Sequence, residues 1–446
     1  MGRRSHSRSL SLWTNGVRVG RWTLPARGEM ELHYDPDWVA ADIGRPLSLS
    51  LPFNLQNLPI KGEKVANYFD NLLPDSDAIR RRVAERFRTG SIDPFELLRV
   101  IGRDCIGAVQ ILDGEEVPKG FDHVEGVPLS EEDIERHLIE TVSPHAFGAS
   151  GDPDADFRIS LAGAQEKTAF LWWDGQWLAP RGATPTSHIF KLPLGLMGGR
   201  RADFSTSVDN EWLCLRLLKA YGLNVADARI ATFGRQRVLV VERFDRRTAP
   251  DGQWLMRLPQ EDFCQVEGCS PLRKYENEGG PGLKALFATL RQSVNAEADM
   301  KTLMTAQVLF WLLRAPDGHA KNFSIHLLPR GRFHLTRLYD VMSAYPVLGE
   351  GPNQWSPHDI RSAMALLGKN RHYDMHGIQR RHFNSTARKV GYGSTAEPII
   401  EELLARTPAA IAEVQADLPK DFSPRVAESI LGGLEQAAAT LGAMAP

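Results

Sequence analysis

The stretch RAPDGHAKNFSI, residues 314–325, constrains the fold of this chain more than any other. Apolar residues recur at helical spacing through residues 297–313, and Pro316 disfavours helical dihedral angles in the residue before it, so we expect the helix to end just short of Asp317. After the loop, apolar and polar residues alternate on both sides of a Pro-Arg-Gly-Arg turn, which predicts a β-hairpin. The second strand of that hairpin ends at Asp340 and brings it back towards Asp317.

Asp317, Asn322 and Asp340 occur in the order of the polar groups that support phosphoryl transfer. One Asp orients the attacking hydroxyl or accepts its proton, while an Asn and a second Asp hold Mg²⁺, which prefers oxygen ligands. The D-x-x-x-x-N spacing also equals that within the protein-kinase catalytic loop. Taken alone, the same spacing fits a turn at Asp317 and a solvated Asn322, so the rest of the chain has to decide between the two interpretations.

Composition excludes some classes of protein. The chain has 446 residues, of which 42% are hydrophobic and 24% charged, as in soluble proteins with two or three domains. The formal net charge of −2 gives no whole-chain field that would attract nucleic acid or a membrane surface. The four cysteines include no C-x-x-C pair, which indicates free thiols in a reducing compartment. No window reaches the length of a membrane span, so we expect a cytoplasmic protein without a membrane partner.

The sequence up to residue 112 predicts a mixture of α and β structure. Its predicted elements are a hairpin at Asn15-Gly16, a strand at residues 46–54, a helix capped by Asp75 or Ser76, a helix at residues 94–100 and a strand at residues 108–112. Residues 113–156 then become rich in Glu, Asp, Gly and Pro, and we place a domain boundary inside this segment.

The elements from residue 157 onwards follow the order of a kinase small lobe. A short strand at residues 157–159 leads into the loop SLAGAQEK, then come the hairpin KTAFLWW and QWLAP, a strand that contains Lys191, a helix that contains Glu211, and strands at residues 228–233 and 237–244. In that order Lys191 would contact phosphates, Glu211 would pair with it, and residues 242–244 would form the hinge that faces adenine.

Each of these positions also has an ordinary structural interpretation. Lys191 fits a solvated lysine on a strand edge, and VLVVERF is first of all a buried strand. For Glu211 we favour a charge that complements the helix dipole over a partner for Lys191. SLAGAQEK contains one glycine, so it is not a G-x-G-x-x-G loop and by itself it indicates a surface loop.

The chain resembles the HipA family, the serine/threonine kinase toxins of bacterial HipBA toxin-antitoxin pairs. The motifs that carry the resemblance occur in family order and are PLSLSLP, FDNLLPDS, IGRDCIGAVQ, RISLAGAQEKTA, HIFKLPLG, SVDNEWLC, VERFDR, RLPQEDFCQ, DGHAKNFSI and LYDVMSAYP. The resemblance implies an α+β fold with two protein-kinase-like lobes, β-rich and then mainly helical, after an additional N-terminal α+β domain. We accordingly expect an accessory domain at residues 1–115, a small lobe at 116–250 and a helical lobe at 251–446.

The resemblance also implies roles for individual residues. Asp317 is the catalytic base, Asn322 and Asp340 bind Mg²⁺, and Lys191 contacts the phosphates of ATP. The other ATP-binding residues that it implies are Glu242 and Phe244 at the hinge, Ala162, Gly163, Ala164, Gln165, Glu166 and Lys167 in the phosphate loop, and His319. Ser160 matches the serine that such kinases autophosphorylate, which pulls the loop out of the nucleotide site and turns the enzyme off.

Two positions qualify the resemblance. Pro316 stands where the family more often has Thr, and a proline removes both a donor and a hydroxyl beside the base, so we expect activity but keep a weakened catalytic loop as an alternative. His319 we interpret as a residue that positions this loop through hydrogen bonds, not as a second base.

A basic stretch lies between residues 368 and 392 and has two interpretations. It fits a solvated face, and it also fits contacts with operator DNA, because the family contacts DNA while a HipB-type repressor holds it. The residues that would make these contacts are Arg380, Arg381, Arg388 and Lys389.

Three functions remain open at this point. The first is an ATP- and Mg²⁺-dependent toxin kinase, whose target by resemblance is an aminoacyl-tRNA synthetase such as glutamyl-tRNA synthetase and whose action arrests growth. The second is a corepressor with a decayed kinase site that acts through its antitoxin and DNA. The third is a small-molecule kinase of the aminoglycoside phosphotransferase type, which does not explain the N-terminal motifs. The complete set of Lys191, Asp317, Asn322 and Asp340 favours the first, because a decayed site is free to lose its metal ligands.

Overall fold

The computed structural model describes residues 7–142, 160–163, 165–198 and 201–446. The predicted strand at residues 157–159 and the predicted ATP contact of Ala164 therefore lie outside the described residues. The chain mixes helices with antiparallel sheets, which confirms the predicted α+β class. Of the helices in the described ranges, none combines the length and the apolar character that crossing a membrane requires.

The N-terminal part is built on an antiparallel sheet with strand order β4-β3-β2-β1-β5. Its elements are β1 (Arg8–Thr14), β2 (Val17–Leu24), β3 (Glu31–Tyr34), α1 (Pro36–Ala40), β4 (Ile60–Lys61), α2 (Glu63–Asp70), α3 (Asp77–Phe87), α4 (Pro94–Ile101) and β5 (Gln110–Asp113). Asn15 and Gly16 both have positive φ, as the predicted two-residue hairpin turn requires. In the core, the ring of Trp22 stacks on Phe69 with centroids 3.8 Å apart.

Residues 46–54 do not form the predicted strand. The alternation of Leu and Ser in this segment arises because both of its sides are covered. Leu51 is buried in the N-terminal core, while the hydroxyls of Ser48 and Ser50 donate to the carbonyl of Gln265 at 3.1 and 2.6 Å. Because these serines bond to a distant backbone carbonyl, polar and apolar side chains alternate in this segment although its backbone pairs with no neighbouring strand.

The middle part contains a sheet with strand order β12-β13-β9-β7-β8-β6. Its elements are β6 (Gly126–Pro128), α5 (Glu131–Val142), β7 (Lys167–Trp173), β8 (Gln176–Pro180), β9 (His188–Lys191), β10 (Leu196–Met197), β11 (Ala202–Asp203), α6 (Ser207–Ala220), β12 (Ala228–Phe233) and β13 (Gln236–Glu242). The predicted β7-β8 hairpin and the strand that contains Lys191 are both present. Lys191 pairs with Lys167 on one side and with Leu239 on the other, so β9 is not an edge strand.

The C-terminal part is mainly helical, as expected. Its elements are β14 (Arg246–Thr248), β15 (Leu255–Arg257), β16 (Gln260–Asp262), α7 (Phe263–Glu267), α8 (Leu283–Leu290), α9 (Ala296–Leu312), β17 (Ser324–Leu327), β18 (Phe333–Leu335), β19 (Arg361–Leu367), β20 (Arg371–Asp374), α10 (Arg380–Lys389), α11 (Glu397–Ala416) and α12 (Pro424–Ala443). The helix that ends before Asp317 and the β17-β18 hairpin are confirmed. Sequence reasoning missed β19, whose Ala363 N–H donates to the carbonyl of Pro316 at 3.0 Å in the loop that follows α9.

Candidate active site

Lys191, at the end of β9, has its amine buried between two carboxylates. Nζ donates to Oε1 of Glu211 in α6 and to Oδ1 of Asp340, each at 2.7 Å. Burial alone would lower the pKa of Lys191, but the carboxylates of Asp340 and Glu211 outweigh it and raise the pKa. Burial would likewise raise the pKa of Asp340, yet Lys191 holds it well below its usual range. Lys191 and Asp340 are therefore both charged at neutral pH.

Glu211 does not have the helix-dipole role that the sequence favoured. Helix α6 begins at Ser207, so Glu211 lies beyond the first turn, where the effect of the dipole has largely decayed. Its side chain is 2% exposed and bonds to Lys191, and burial raises its pKa. The interpretation that the sequence analysis ranked second, a pair with Lys191, is the one that the structure contains.

The loop after α9 presents Asp317 to the cavity. The amide of Asn322 donates to the backbone carbonyl of Asp317 at 2.7 Å, and the N–H of His319 donates to the same carbonyl at 2.8 Å. The Asp317 side chain itself is 44% exposed. The backbone of this residue is therefore held from two sides, while its carboxylate is accessible to an incoming group.

His319 is buried behind Asp317, and burial lowers its pKa. Its Nε2 lies 3.8 Å from Asp317 Oδ1, which is too long for a hydrogen bond. Its buried Nδ1 has no hydrogen-bond partner among the described residues, so the ring makes no hydrogen bond that would support the predicted positioning role. Its contact is the packing of the ring against Tyr275, with centroids 5.0 Å apart.

Asn322 and Asp340 lie side by side where the β17-β18 hairpin returns to the loop. Asn322 Nδ2 is 3.5 Å from the carbonyl of Asp340, whose backbone is left-handed with φ of 58°. Because Asn322 uses its amide nitrogen on the backbone, its amide oxygen is the atom left for a cation. The carboxylate of Asp340 already accepts a hydrogen bond from a cation, the amine of Lys191. One carboxylate and one amide oxygen that face the same cavity are ligands that fit Mg²⁺, which completes its shell with further oxygen ligands and water.

The described part of the phosphate loop is packed against the N-terminal part. Ser160 is fully buried, and its hydroxyl donates to the carbonyl of Leu72 at 2.7 Å. Gly163, with φ of +104°, accepts a hydrogen bond from the N–H of Asp75 at 3.0 Å. The loop is thus held by backbone contacts with the N-terminal part of the chain, which compensates for its single glycine.

Other predicted residues of this loop have separate partners. Lys167 Nζ donates to the carbonyl of Ala162 at 2.7 Å, and burial together with repulsion from Lys191 lowers the pKa of Lys167 to about 8. Gln165 donates to the carbonyl of Leu192 at 2.6 Å, and Glu166 forms an ion pair with Arg82. Lys167 is the loop residue whose charge lies nearest to the Lys191 cluster.

A cavity of about 800 Å³ joins the hinge to the catalytic loop. Glu242 and Phe244 line it at the end of β13, and the ring of Phe244 packs against Tyr339 with centroids 5.7 Å apart. Lys191, Asp317 and the other candidate residues named above line the same space, apart from Ser160 and Glu166. The volume is in the range of ligand pockets in proteins.

The structure adds residues that sequence reasoning missed. The hydroxyl of Tyr275 donates to Asp317 Oδ1 at 2.5 Å, and burial and the Asp317 carboxylate raise the pKa of Tyr275. Lys274 and Lys321 both donate to the carboxylate of Asp75. Asp75 and Lys321 lie in the quoted motifs FDNLLPDS and DGHAKNFSI, but no local pattern pairs any of these residues with its partner, because each partner is at least 42 residues away.

Of the four residues predicted to contact DNA, one is buried and three are exposed. Arg380 is buried and forms ion pairs with Glu397 and Glu401, so it lacks the exposure that a DNA contact requires, and the prediction for this residue was wrong. The exposed residues of α10 that were predicted to contact DNA are Arg381, Arg388 and Lys389.

Comparisons with known proteins agree with this geometry. The HipA N-terminal domain family matches residues 10–112, and the HipA-like C-terminal domain family matches residues 159–411. The chain is 34% identical over 348 residues to Y4mE of Sinorhizobium fredii, which covers 76% of this chain and 79% of that protein. It is 29% identical over 433 residues to the serine/threonine-protein kinase toxin HipA of Shewanella oneidensis, which covers 92% of this chain and 90% of the relative.

The fold has a solved counterpart as well. HipA in the complex of Shewanella oneidensis MR-1 HipA, HipB and operator DNA superposes with a TM-score of 0.77 at 24% identity, over 97% of each chain. This match confirms the predicted two-lobed, kinase-like architecture with its additional N-terminal domain. On the two family matches, of which the C-terminal one covers more than half of the chain, the chain belongs to the HipA family.

Proposed function

We propose that this chain is an ATP-dependent serine/threonine protein kinase that acts as the toxin of a HipBA pair. The observation that carries the proposal is the cluster of Lys191, Glu211 and Asp340, which opens on the same cavity as Asp317 and Asn322. A charged lysine beside two carboxylates, an amide and an accessible Asp is the set that phosphoryl transfer needs. The kinase name of the Shewanella oneidensis relative supports the same activity.

In this proposal each residue has a role that follows from its position in the cavity. Lys191 and Lys167 neutralise phosphate oxygens of ATP, and the hinge residues Glu242 and Phe244 border the adenine. When bound, Mg²⁺ would neutralise charge on the phosphate oxygens, and Asn322 and Asp340 are the residues that would hold it. The carboxylate of Asp317 orients the acceptor hydroxyl and takes its proton.

The regulatory part of the proposal concerns Ser160. Its hydroxyl is buried against Leu72, so it reaches the γ-phosphate of ATP only after the loop has left its closed position. A phosphate on Ser160 adds about −1.5 to −2 charges, which the buried site at Leu72 does not neutralise. The phosphorylated loop would therefore stay out of the nucleotide site, and the kinase would be self-inhibited.

The proposed partners follow from the family. The solved relative is a complex of HipA with HipB and operator DNA, which supports a HipB-type antitoxin and operator DNA as partners of this chain. The exposed Arg381, Arg388 and Lys389 are the residues proposed to contact DNA phosphates. The proposed protein substrate is an aminoacyl-tRNA synthetase such as glutamyl-tRNA synthetase, and the support for it is the family resemblance alone.

Intact mass after incubation with ATP and Mg²⁺ tests the proposal directly. The wild-type protein should gain one phosphate, mapped by peptide mass spectrometry to Ser160, and should then lose ATP binding in calorimetry. The Asp317→Asn variant is the control, since it should bind ATP and gain no phosphate. A wild-type protein that transfers no phosphate to itself or to a synthetase would contradict the kinase assignment. Phosphate at another residue alone would contradict the role of Ser160.

A further inference from the structure

A turn of the N-terminal part reaches into the cavity between the phosphate loop and the catalytic loop. Residues 71–75, here called the accessory turn, connect α2 to α3, and Asn71, Leu72 and Asp75 line the cavity. The accessory turn contacts both loops at once, and it also contacts the segment that contains Tyr275.

Backbone atoms of the accessory turn hold the phosphate loop. The carbonyl of Leu72 accepts from the Ser160 hydroxyl at 2.7 Å, and the N–H of Asp75 donates to the carbonyl of Gly163 at 3.0 Å. Pro74 and Gly163 also form an isolated parallel bridge. The closed position of the phosphate loop is therefore defined by the accessory turn at both Ser160 and Gly163.

The side chain of Asp75 holds the opposite wall of the cavity. Its Oδ1 accepts from Lys321 Nζ at 2.8 Å and its Oδ2 from Lys274 Nζ at 2.9 Å. Lys321 is the residue before Asn322 in the catalytic loop, and its amine also reaches the carbonyl of Asn71 at 3.3 Å. One carboxylate thus compensates two amines from two different segments.

The second of those segments reaches the catalytic Asp. Lys274 precedes Tyr275, whose hydroxyl donates to Asp317 Oδ1 at 2.5 Å. The carbonyl of Lys274 also accepts from the N–H of Ala320 at 3.3 Å, inside the catalytic loop. The position of Lys274 therefore affects Asp317 through a side-chain contact and the catalytic loop through a backbone contact.

We propose that Asp75 is a positioning residue for phosphoryl transfer, supplied by the N-terminal domain, which fixes the catalytic loop through Lys321 and the Tyr275 segment through Lys274. This inference rests on the proposed kinase function. It makes the accessory turn a wall of the active site, so the N-terminal domain has a part in catalysis.

The charge balance explains why an uncharged residue cannot replace Asp75. Burial alone would raise the pKa of Asp75, but Lys321 and Lys274 outweigh it and hold the pKa well below the usual range. The carboxylate is therefore ionised at any pH near neutrality. Without it, the buried amine of Lys321 would have to find another anion, of which Asp262 and Asp317 belong to the same cavity. Either movement displaces the catalytic loop.

The test compares Asp75→Asn with Asp77→Asn. Asp75→Asn keeps the shape of the side chain and removes its charge, whereas Asp77 is exposed in the first turn of α3 and serves as the matched control. We expect Asp75→Asn to lower kcat about 100-fold, as for a small misplacement of catalytic groups, and to leave the KM for ATP within about threefold, because Lys191 is untouched. Asp75→Glu, which keeps the charge, should recover part of kcat.

A double-mutant cycle separates positioning from general damage. If Asp75 acts through Lys321 and Lys274, then adding Asp75→Asn to the double variant Lys321→Met, Lys274→Met should lower kcat by less than about threefold further, because both shared interactions are already absent. Fully multiplicative effects would overturn the proposal, as would a wild-type kcat in Asp75→Asn. If Asp75→Asn does not fold, Lys321→Met tests the same claim, and a wild-type kcat in that variant overturns it.

Hydrogen exchange makes the outcome independent of the kinase assignment. Amides of residues 317–323 should exchange faster in Asp75→Asn than in wild type or Asp77→Asn, since the catalytic loop loses its anchor. A wild-type protein without kinase activity would overturn the proposed function, and the exchange would still report whether Asp75 holds this loop. Unchanged exchange in residues 317–323 would overturn the proposed anchoring.

Discussion

Glu211→Gln separates the two interpretations of Glu211 more sharply than any other single change. The substitution keeps the size of the side chain and an oxygen that can accept from Lys191 Nζ, now 2.7 Å from Glu211 Oε1. It removes one negative charge from a buried group of one lysine and two carboxylates, while Asp340 continues to compensate Lys191. Catalysis and stability should therefore respond differently.

The expected loss in catalysis follows from the hydrogen bond. Lys191 stays charged in the variant, so both bonds fall in the range of about 1.5–3 kcal/mol for a hydrogen bond with a charged group, the carboxylate near its upper end and the amide oxygen near its lower end. The variant should therefore lose about 1–1.5 kcal/mol of the energy that holds Lys191 in place. That loss corresponds to a reduction of about 5- to 13-fold in kcat/KM for ATP. Both bond energies concern Lys191, the residue proposed to contact the phosphates of ATP. The loss in kcat/KM should therefore appear with any protein substrate that accepts the phosphate.

The expected effect on stability is small or favourable. Because burial raises the pKa of Glu211, the folded protein binds the proton of this group more tightly than the unfolded chain does. The ionised carboxylate therefore costs stability, and the cost grows as the pH rises from the unfolded pKa to the folded pKa. Glutamine removes this cost at neutral pH. The Tm of Glu211→Gln should lie within about 3 °C of the wild-type value or above it.

Steady-state kinetics and a thermal melt of Glu211→Gln and Asp209→Asn provide the assay. Asp209 lies in the first turn of the same helix, is buried, and forms an ion pair with Arg237 at 2.7 Å without touching Lys191. Asp209→Asn should lower the Tm and leave kcat/KM unchanged. If Glu211→Gln behaves in this way too, with a lower Tm and wild-type kinetics, Glu211 complements the helix and does not hold Lys191.

Three further predictions concern the other proposed roles. Asp317→Asn should lower the rate of phosphorylation by about 10²–10⁴-fold with nearly unchanged ATP affinity in calorimetry, whereas a large loss of affinity would make Asp317 a binding residue. Asp340→Ala should abolish turnover and the Mg²⁺ dependence of ATP binding without unfolding the chain, and wild-type Mg²⁺-dependent binding in this variant would exclude Asp340 as a metal ligand. Neutralising Arg381, Arg388 or Lys389 should reduce the salt dependence of operator binding by about one unit for each DNA phosphate that the variant no longer neutralises, and an unchanged slope for all three would leave α10 as a solvated face.

The parts of the site that the sequence predicted are those with local signals. Pro316 and the helical period before it determine where α9 ends, and the alternation after Asn322 determines the β17-β18 hairpin. These two elements alone bring Asp340 beside Asn322, because a hairpin returns the chain to its starting point. Lys191 was found because it lies in the strand before the helix that contains Glu211, where the order of elements in a kinase small lobe has the lysine that contacts phosphates.

The parts that could not be predicted depend on partners far away in the chain. Nothing near Asp75 indicates that its carboxylate meets Lys321, which is 246 residues further on. Ser48 and Ser50 gave a false strand because their bonding partner, Gln265, is 217 and 215 residues away in sequence. A period of two reports which side chains share a face, and it does not report whether that face belongs to a sheet.

The motifs IGRDCIGAVQ and VERFDR illustrate how separate family signatures can form one structure. Asp104 from the first accepts from Arg243 at 3.2 Å and from Arg246 at 2.8 Å, both next to the hinge, and Gly107 donates to Asp245 at 2.7 Å.

All of these groups are buried, and the arginines outweigh the effect of burial and hold the pKa of Asp104 well below its usual range. Removing either motif would leave buried charges without partners, which costs about 3–5 kcal/mol for a single broken pair. The boundary between residues 115 and 116 stays a prediction, and the buried charges join residues on its two sides, Asp104 and the hinge arginines, as one packed unit.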